Sequence, residues 1–282
     1  MNTDSTSRVW FVTGASSGFG RALAEAALAD GDTVVAAARR TAPLDDLVAA
    51  HPDRVRAVAL DVTDTAAVGE AVAEAVLRHG RIDVLVNSAG RALVGAVEET
   101  GDGELRDLMD LHFFGPAALI RAVLPHMRRQ GGGAVVNITS MGGRMSFAGV
   151  SAYSATKFAL EGLSEALAPE VAPFGICVLV VEPGAFRTSL HSGASRQETA
   201  VIPAYDDVVG PVRKAQAAFD GTQPGDPAKA AAAILATLAA EAPPLRLVLG
   251  NDAVDMIGDR LARDAAELRA WEATARDVDI DA

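Results

Sequence analysis

Cysteine is almost absent from this chain: Cys177 is the only one in 282 residues, and it lies within the apolar run Ile176–Val181. No disulfide can form within the chain, and a reducing compartment, the cytoplasm, is the expectation. Positive charge is scarce too. The 25 Lys+Arg face 37 Asp+Glu, a formal net charge of -12, which leaves no bulk basic surface for nucleic acid. Lysine occurs only as Lys157, Lys214 and Lys229. Long hydrophobic runs are missing as well. The polar stretch Met1–Arg8 leads into Val9–Val12 and then glycines, unlike an export leader. The alanine-rich stretch Ala228–Ala240 is interrupted by Lys229 and Thr237 and falls short of the roughly 20 apolar residues a membrane span needs. No membrane segment is expected. Nor is a metal site, since His51, His79, His126, His191 and Cys177 show no ligand spacing.

What the chain does have is apolar residues, 50% of the total against 22% charged, enough for a sizeable core. Short apolar runs rich in β-branched residues occur at Val9–Thr13, Thr33–Ala38, Val55–Leu60, Ile82–Asn87, Ala134–Thr139, Ile176–Glu182 and Leu245–Leu249. Segments of helical period alternate with them at Gly18–Ala29, Leu44–Ala50, Thr65–His79, Glu104–Gln130, Ala152–Ala172, Asp226–Glu241 and Asp252–Thr274. Strand–helix alternation with strands apolar throughout predicts a parallel sheet covered on both faces. The fold class is therefore α/β: one domain, a doubly wound sheet of seven parallel strands. The stretch Ser189–Gly225 shows no strong period and contains Gly193, Pro203, Gly210, Pro211, Gly221 and Pro224. A connection this long is expected to be functional, here a lid over the substrate.

Three features carry chemistry. Strand one runs into Thr13-Gly14-Ala15-Ser16-Ser17-Gly18-Phe19-Gly20, where glycines admit close backbone approach to a pyrophosphate and the following helix offers free N–H groups. The spacing differs from G-x-G-x-x-G, and an ordinary strand-to-helix turn is the competing reading. Downstream, Tyr153-Ser154-Ala155-Thr156-Lys157 puts a phenol and an ammonium four residues apart on one helix face, where the cation would lower the phenol's pKa. Ser140, just after the fifth strand, stands at a carboxyl end of the sheet, where ligands gather. On its own it would read as a turn residue.

Together these motifs, with Asn87-Ser88-Ala89-Gly90 and Pro183-Gly184-Ala185-Phe186-Arg187-Thr188, resemble the short-chain dehydrogenase/reductase family over about residues 8–250. The resemblance implies a Rossmann-like fold, a nicotinamide cofactor, and hydride transfer between a carbonyl and an alcohol. It makes Tyr153 the acid/base, Ser140 the group bonded to the carbonyl oxygen, and Lys157 the residue that holds the nicotinamide ribose and tunes Tyr153. Gly14, Ser16, Ser17, Gly18, Phe19 and Gly20 would take the pyrophosphate, and Asp61 and Val62 the adenine. Asn87, Ala89 and Gly90 would shape the cleft, with Pro183, Gly184, Phe186 and Thr188 at the nicotinamide end. It also implies a homodimer or homotetramer through helices around Glu104–Gln130 and Ala152–Ala172.

One position departs from the family pattern. Where relatives carry an asparagine that completes a Ser-Tyr-Lys-Asn tetrad, this chain has His112, in Asp110-Leu111-His112-Phe113-Phe114-Gly115-Pro116. His112 reads either as a packed helix residue or as a member of the site, acting through its ring or its backbone. Pro116 lacks the N–H that would bond the His112 carbonyl and is expected to kink the helix. The second strand ends Ala37-Ala38-Arg39-Arg40, without the carboxylate that selects a ribose 2′-hydroxyl. Arg39 and Arg40, unless simply solvated, favour NADP(H). Met145, Phe147, Val150, Phe186 and Leu190 suggest an apolar pocket for a small carbonyl or alcohol substrate. The competing reading is a catalytically weak nucleotide-binding regulator or scaffold, which the missing asparagine would favour. Arg246 and Asp252, near Pro243-Pro244, read as structural or interfacial, and Asp277–Asp281 as a solvated tail.

Overall fold

Successive side chains of a strand point to opposite faces, so a strand covered on both sides must be apolar at every position. In the computed structural model, which describes residues 7–193 and 195–280, this holds from the first strand. Trp10 and Val12 enter one core layer, and Val9 and Phe11 enter the other. Met1–Thr6, and Asp281 of the acidic tail, lie outside the described residues.

The chain runs β1 (Val9–Thr13), α1 (Gly18–Ala29), β2 (Thr33–Ala38), α2 (Asp45–Ala50), β3 (Val55–Ala59), α3 (Thr65–His79), β4 (Val84–Asn87), β5 (Ala92–Val94), α4 (Asp102–Met109), α5 (Gly115–Gln130), β6 (Gly133–Ile138), α6 (Ser151–Val171), β7 (Ile176–Pro183), β8 (Arg196–Glu198), α7 (Asp206–Ala218), α8 (Pro227–Leu238), β9 (Arg246–Leu249) and α9 (Asn251–Arg276). The main sheet is parallel and ordered β3-β2-β1-β4-β6-β7-β9. One face buries Leu23, Ala24 and Ala27 of α1 with Ile234 and Leu235 of α8. The other buries Val68 and Val72 of α3, Leu119 and Val123 of α5, and Leu167 of α6. Each fully buried aliphatic side chain contributes about 1.5–3 kcal/mol. The result is the expected doubly wound α/β sheet of seven parallel strands. The strand order reverses between β1 and β4, which opens a crevice at the carboxyl ends.

Three local expectations are corrected. The single helix expected over Glu104–Gln130 is two, α4 and α5, joined by a π-turn at Asp110–Phe114 in which the Gly115 N–H donates to the Asp110 carbonyl. The disturbance attributed to Pro116 is thus a widened turn just before it. By length and composition Asp102–Gln130 would pass for a membrane span, yet α5 packs Leu119, Ile120, Val123 and Met127 into the core. Finally, Ser189–Gly225 is not irregular. It contains β8, paired in parallel with β5 in a separate two-stranded sheet, and the 13-residue helix α7. Gly210 and Pro211 within α7 masked its period.

That segment is tied down. Glu99 accepts from the N–H groups of Ala96 and Ile202 and from the Arg213 guanidinium of α7, each at 2.8 Å. These bonds, led by the two backbone donors, hold the Glu99 carboxyl below its ordinary range. Arg213 also donates to the Val94 and Thr199 carbonyls at 3.2 and 3.3 Å. On its inner side α7 sets Val209 and Val212 against Gly149, in the loop between Ser140 and Tyr153.

Candidate active site

The carboxyl ends of β1, β4, β6 and β7 bring the sequence motifs to one edge of the sheet. After β1 the chain turns tightly. A Cβ on Gly14, whose φ is +64°, would meet Ala89 and Ser88 backbone at 2.9 Å, and one on Gly20 would meet the Gly14 carbonyl oxygen at 2.5 Å. Glycine is required at both positions because backbone occupies the space. Ser17 caps α1 without a side-chain bond to the helix, so the first N–H groups stay available to an anion. Its hydroxyl accepts from Ser189 at 3.0 Å. Phe19 packs on Phe186 with ring centroids 5.1 Å apart. Gly18 faces Thr188, whose Cβ lies 3.2 Å from where a Gly18 Cβ would be. Asp252 accepts from the Ala185 N–H at 2.7 Å and fills the space beside Gly184 that a side chain there would need.

Asn87 at the end of β4 donates to the Asn137 side chain at 2.8 Å, but its own Oδ1 is buried without a partner. A buried orphan acceptor beside a glycine-lined turn and free helix N–H groups fits a bound nucleotide. Beyond the ends of β2 and β3, a cavity of about 140 Å³ is lined by Arg39, Asp61, Thr63, Arg91, Asp107, Asp110 and Leu111. Arg40 is exposed and does not line it. The Asp61 carboxylate accepts from the N–H and hydroxyl of Thr63 at 3.0 and 2.8 Å, which lowers its pKa. Val62 is buried, and its carbonyl crowds Gly115, where a Cβ would come within 2.8 Å.

Ser140 and Tyr153 flank Gly142: a Cβ there would sit 3.4 Å from both Ser140 Oγ and Tyr153 Cε1. Ser140 Oγ accepts the Gly142 N–H at 3.0 Å, which leaves its hydroxyl hydrogen free to donate. Lys157 is buried, and its Nζ donates to the Ile138 carbonyl at 2.9 Å. Burial pulls its pKa down to about 8, an effect that Glu161 opposes. The Tyr153 phenol is pushed up to about 12 by burial, while a hydrogen bond from Ser140 draws it down. The expected lowering by Lys157 is therefore not the dominant effect. The ammonium lies 5.7 Å from the ring centroid and bonds to backbone.

His112 is 1% exposed. Its Nε2 accepts from the Arg91 N–H at 3.1 Å, and its Nδ1 lies 2.8 Å from Thr156 Oγ1. Thr156 spends its one hydroxyl hydrogen on the Tyr153 carbonyl at 2.7 Å, so this bonding pattern puts a proton on Nδ1 and a lone pair on Nε2. Burial, then the Lys157 and Arg91 cations, hold the imidazole pKa well below 6.5. A neutral ring thus braces the turn after β4 against the helix carrying Tyr153, and it stands edge-on to that phenol at 5.6 Å. Gly90 passes directly beneath, where a Cβ would meet Nε2 at 3.1 Å.

Arg91 and Thr156 escaped sequence reasoning, because each acts only through a partner distant in sequence. Of the expected pocket wall, Met145 is 3% exposed and turned into the interior, whereas Phe147 is 42% exposed. Asp252 is structural. Arg246 joins a buried ion cluster behind the site.

The short chain dehydrogenase family model matches residues 8–199. Oxidoreductase BOA17 of Botryotinia fuckeliana is 41% identical over 265 residues, covering 94% of this chain and 96% of that protein. A short-chain dehydrogenase structure from Streptomyces avermitilis superposes with a TM-score of 0.92 at 59% identity, covering 98% of this chain and all of that one. Two Burkholderia structures share the fold: one from B. cenocepacia solved with NADP (TM-score 0.71, 29% identity, 94% and 96% covered) and one from B. phymatum solved with NAD (TM-score 0.82, 22% identity, 93% and 95% covered). The chain belongs to the short-chain dehydrogenase family, and it is an oxidoreductase.

Proposed function

We propose that the protein is an NADP(H)-dependent oxidoreductase that interconverts a small, largely apolar carbonyl compound and its alcohol. The observation that carries this reading is the meeting of Ser140, Tyr153 and the buried Lys157 at the sheet's carboxyl edge, next to the orphan Asn87 acceptor. The bound nicotinamide would supply or accept the hydride. The protein's residues manage position and protons. Ser140 donates to the carbonyl oxygen and fixes its place. Tyr153, protonated at neutral pH, delivers its proton to that oxygen as negative charge develops, and takes one back in the reverse direction. Lys157 holds the ribose and places a positive charge by the phenol. The His112 carbonyl, to which Pro116 offers no N–H, would hold a water beside the Lys157 ammonium, and through that water solvent replaces the proton that Lys157 passes towards Tyr153.

Preference for NADP(H) rests on Arg39. It lines the adenine-end cavity immediately after β2, where a guanidinium forks onto a 2′-phosphate. The segment Ser189–Gly225 covers the substrate. Exposed Leu105, Phe114 and Phe158 on α4, the π-turn and α6 suit a homo-oligomer. The competing scaffold reading loses its support, because His112 occupies the asparagine position as a fully bonded brace.

The test is incubation with NADPH and a panel of ketones and aldehydes, following nicotinamide absorbance. Tyr153→Phe should lower turnover by about 10²–10⁴-fold while leaving NADPH affinity unchanged. Residual activity above a tenth of wild type would remove Tyr153 from its role.

A further inference from the structure

Three residues of α6 spaced four apart, Tyr153, Lys157 and Glu161, face three successive residues at the end of β6. Tyr153 stands beside Ser140, and Lys157 Nζ bonds the Ile138 carbonyl. Between these two contacts, the single hydroxyl hydrogen of Thr139 faces Glu161 Oε1 at 2.7 Å and the Val181 carbonyl of β7 at 2.9 Å, the carboxylate being the nearer acceptor. The first two contacts belong to the site described above; the third has no part in it.

Glu161 is buried, and its second oxygen accepts from Arg246 Nε of β9 at 3.1 Å. Arg246 Nε also lies 3.3 Å from Glu182 Oε1 at the end of β7, and Arg144 of the Ser140 loop donates to the same oxygen at 3.1 Å. Glu182 is completely buried, its Oε2 has no partner, and burial followed by the Glu161 charge raises its pKa. The outer Arg246 nitrogen reaches the exposed Glu165 at 2.7 Å. Gly143 packs directly on this cluster, where a Cβ would touch Glu161 Cγ at 3.0 Å and the Lys157 carbonyl at 3.3 Å. Buried ion clusters of this kind add little net stability over well-packed apolar groups. A second role is therefore called for, and the placement supplies it: the cluster joins β6, β7, β9, α6 and the Ser140 loop immediately behind the reacting groups.

The geometry points to Glu161 as a positioning residue for the catalytic centre, locking the β6 terminus to α6 through Thr139 and setting a carboxylate one helical turn from Lys157 on the same face of α6. The inference rests on the function proposed above. Other groups facing this region are the His112 imidazole and Tyr153 on the cofactor side, with Arg144, Arg246 and Glu182 behind. Glu161 is the carboxylate that works against the burial-driven lowering of the Lys157 pKa.

Because the chain has only three lysines, the test can read Lys157 directly and without substrate. The full-length protein is labelled at lysine ¹³Cε, its three signals are assigned with Lys214→Arg and Lys229→Arg, and each is titrated by NMR. Lys157 should titrate near pH 8 in the wild type. Glu161→Gln keeps the shape and removes the charge, and should move that midpoint down by about one pH unit. Arg246→Gln frees Glu161 of its cation and should move it up, while Glu165→Gln should leave it in place. A purely structural role would move none of them. A Lys157 midpoint that is the same in Glu161→Gln and wild type overturns the inference. If Glu161→Gln does not fold, an unchanged midpoint in Arg246→Gln does so. Neither result bears on whether Tyr153 is the acid, which the turnover of Tyr153→Phe decides separately.

Discussion

The neutral imidazole brace at His112 has a measurable consequence for stability as a function of pH. The ring is 1% exposed, accepts from the Arg91 N–H through Nε2, and has the Lys157 and Arg91 charges nearby. Protonating Nε2 would abolish that acceptor and bury a cation among cations, so the folded-state pKa lies well below the value of about 6.5 that the ring has when unfolded. The sign follows from linkage. A depressed folded pKa means the unfolded chain binds the proton first, so the contribution is fully present above pH 6.5 and is lost as pH falls below it. The loss amounts to about 1 kcal/mol between pH 6.5 and 5.5, and about 1.4 kcal/mol for each further unit in which the folded ring stays neutral. His112→Asn offers a donor and an acceptor in the same region but cannot titrate. At pH 7.5 it should be less stable than wild type by about 1–3 kcal/mol, the scale of imperfectly remade buried hydrogen bonds. On acidification that gap should close at the rate just given. Urea unfolding followed by circular dichroism at several pH values measures both curves. His79 and His126, whose pKa values are also lowered by burial, contribute equally to both proteins and cancel. Parallel curves would refute the neutral-brace account.

The remaining predictions concern the ligand. Arg39→Ala should weaken NADPH binding by about tenfold or more, the scale of a lost charge-assisted contact, and leave NADH binding unchanged. Equal effects on the two cofactors, read by fluorescence titration, would refute a role on the 2′-phosphate. Trypsin should cut at Arg196, Arg213 or Lys214 more slowly when NADPH and a carbonyl analogue are both bound. Glu99→Ala, which unties Arg213 and the Ile202 N–H, should make those cuts faster in the free protein. Cleavage that responds to neither change would remove the substrate-cover role of Ser189–Gly225.

By itself the sequence determined the main sheet and its helices. A strand buried on both faces is apolar throughout, and a helix on such a sheet repeats its apolar positions at 3.6 residues, so both signals are local. The glycine turn, Ser140 and the Tyr153–Lys157 pair stood out as motifs for the same reason, since each lies within a few residues of chain, and the structure brings them to one edge of the sheet. Tertiary structure alone decided the rest. Strands β5 and β8 are three residues each and exist because Ala92 meets Arg196 across the fold, a pairing with no local period. Helix α7 was hidden by Gly210 and Pro211, and it is held by Arg213 bonds to Glu99 and Val94, over a hundred positions away. The ring of His112 offers a donor and an acceptor wherever it stands. Only the arrival of Arg91 and of Thr156, 21 and 44 positions away, made it a neutral brace. The ion cluster behind the site likewise required Arg246 to come 85 positions back to Glu161, because burial and charge pairing depend on which elements pack together.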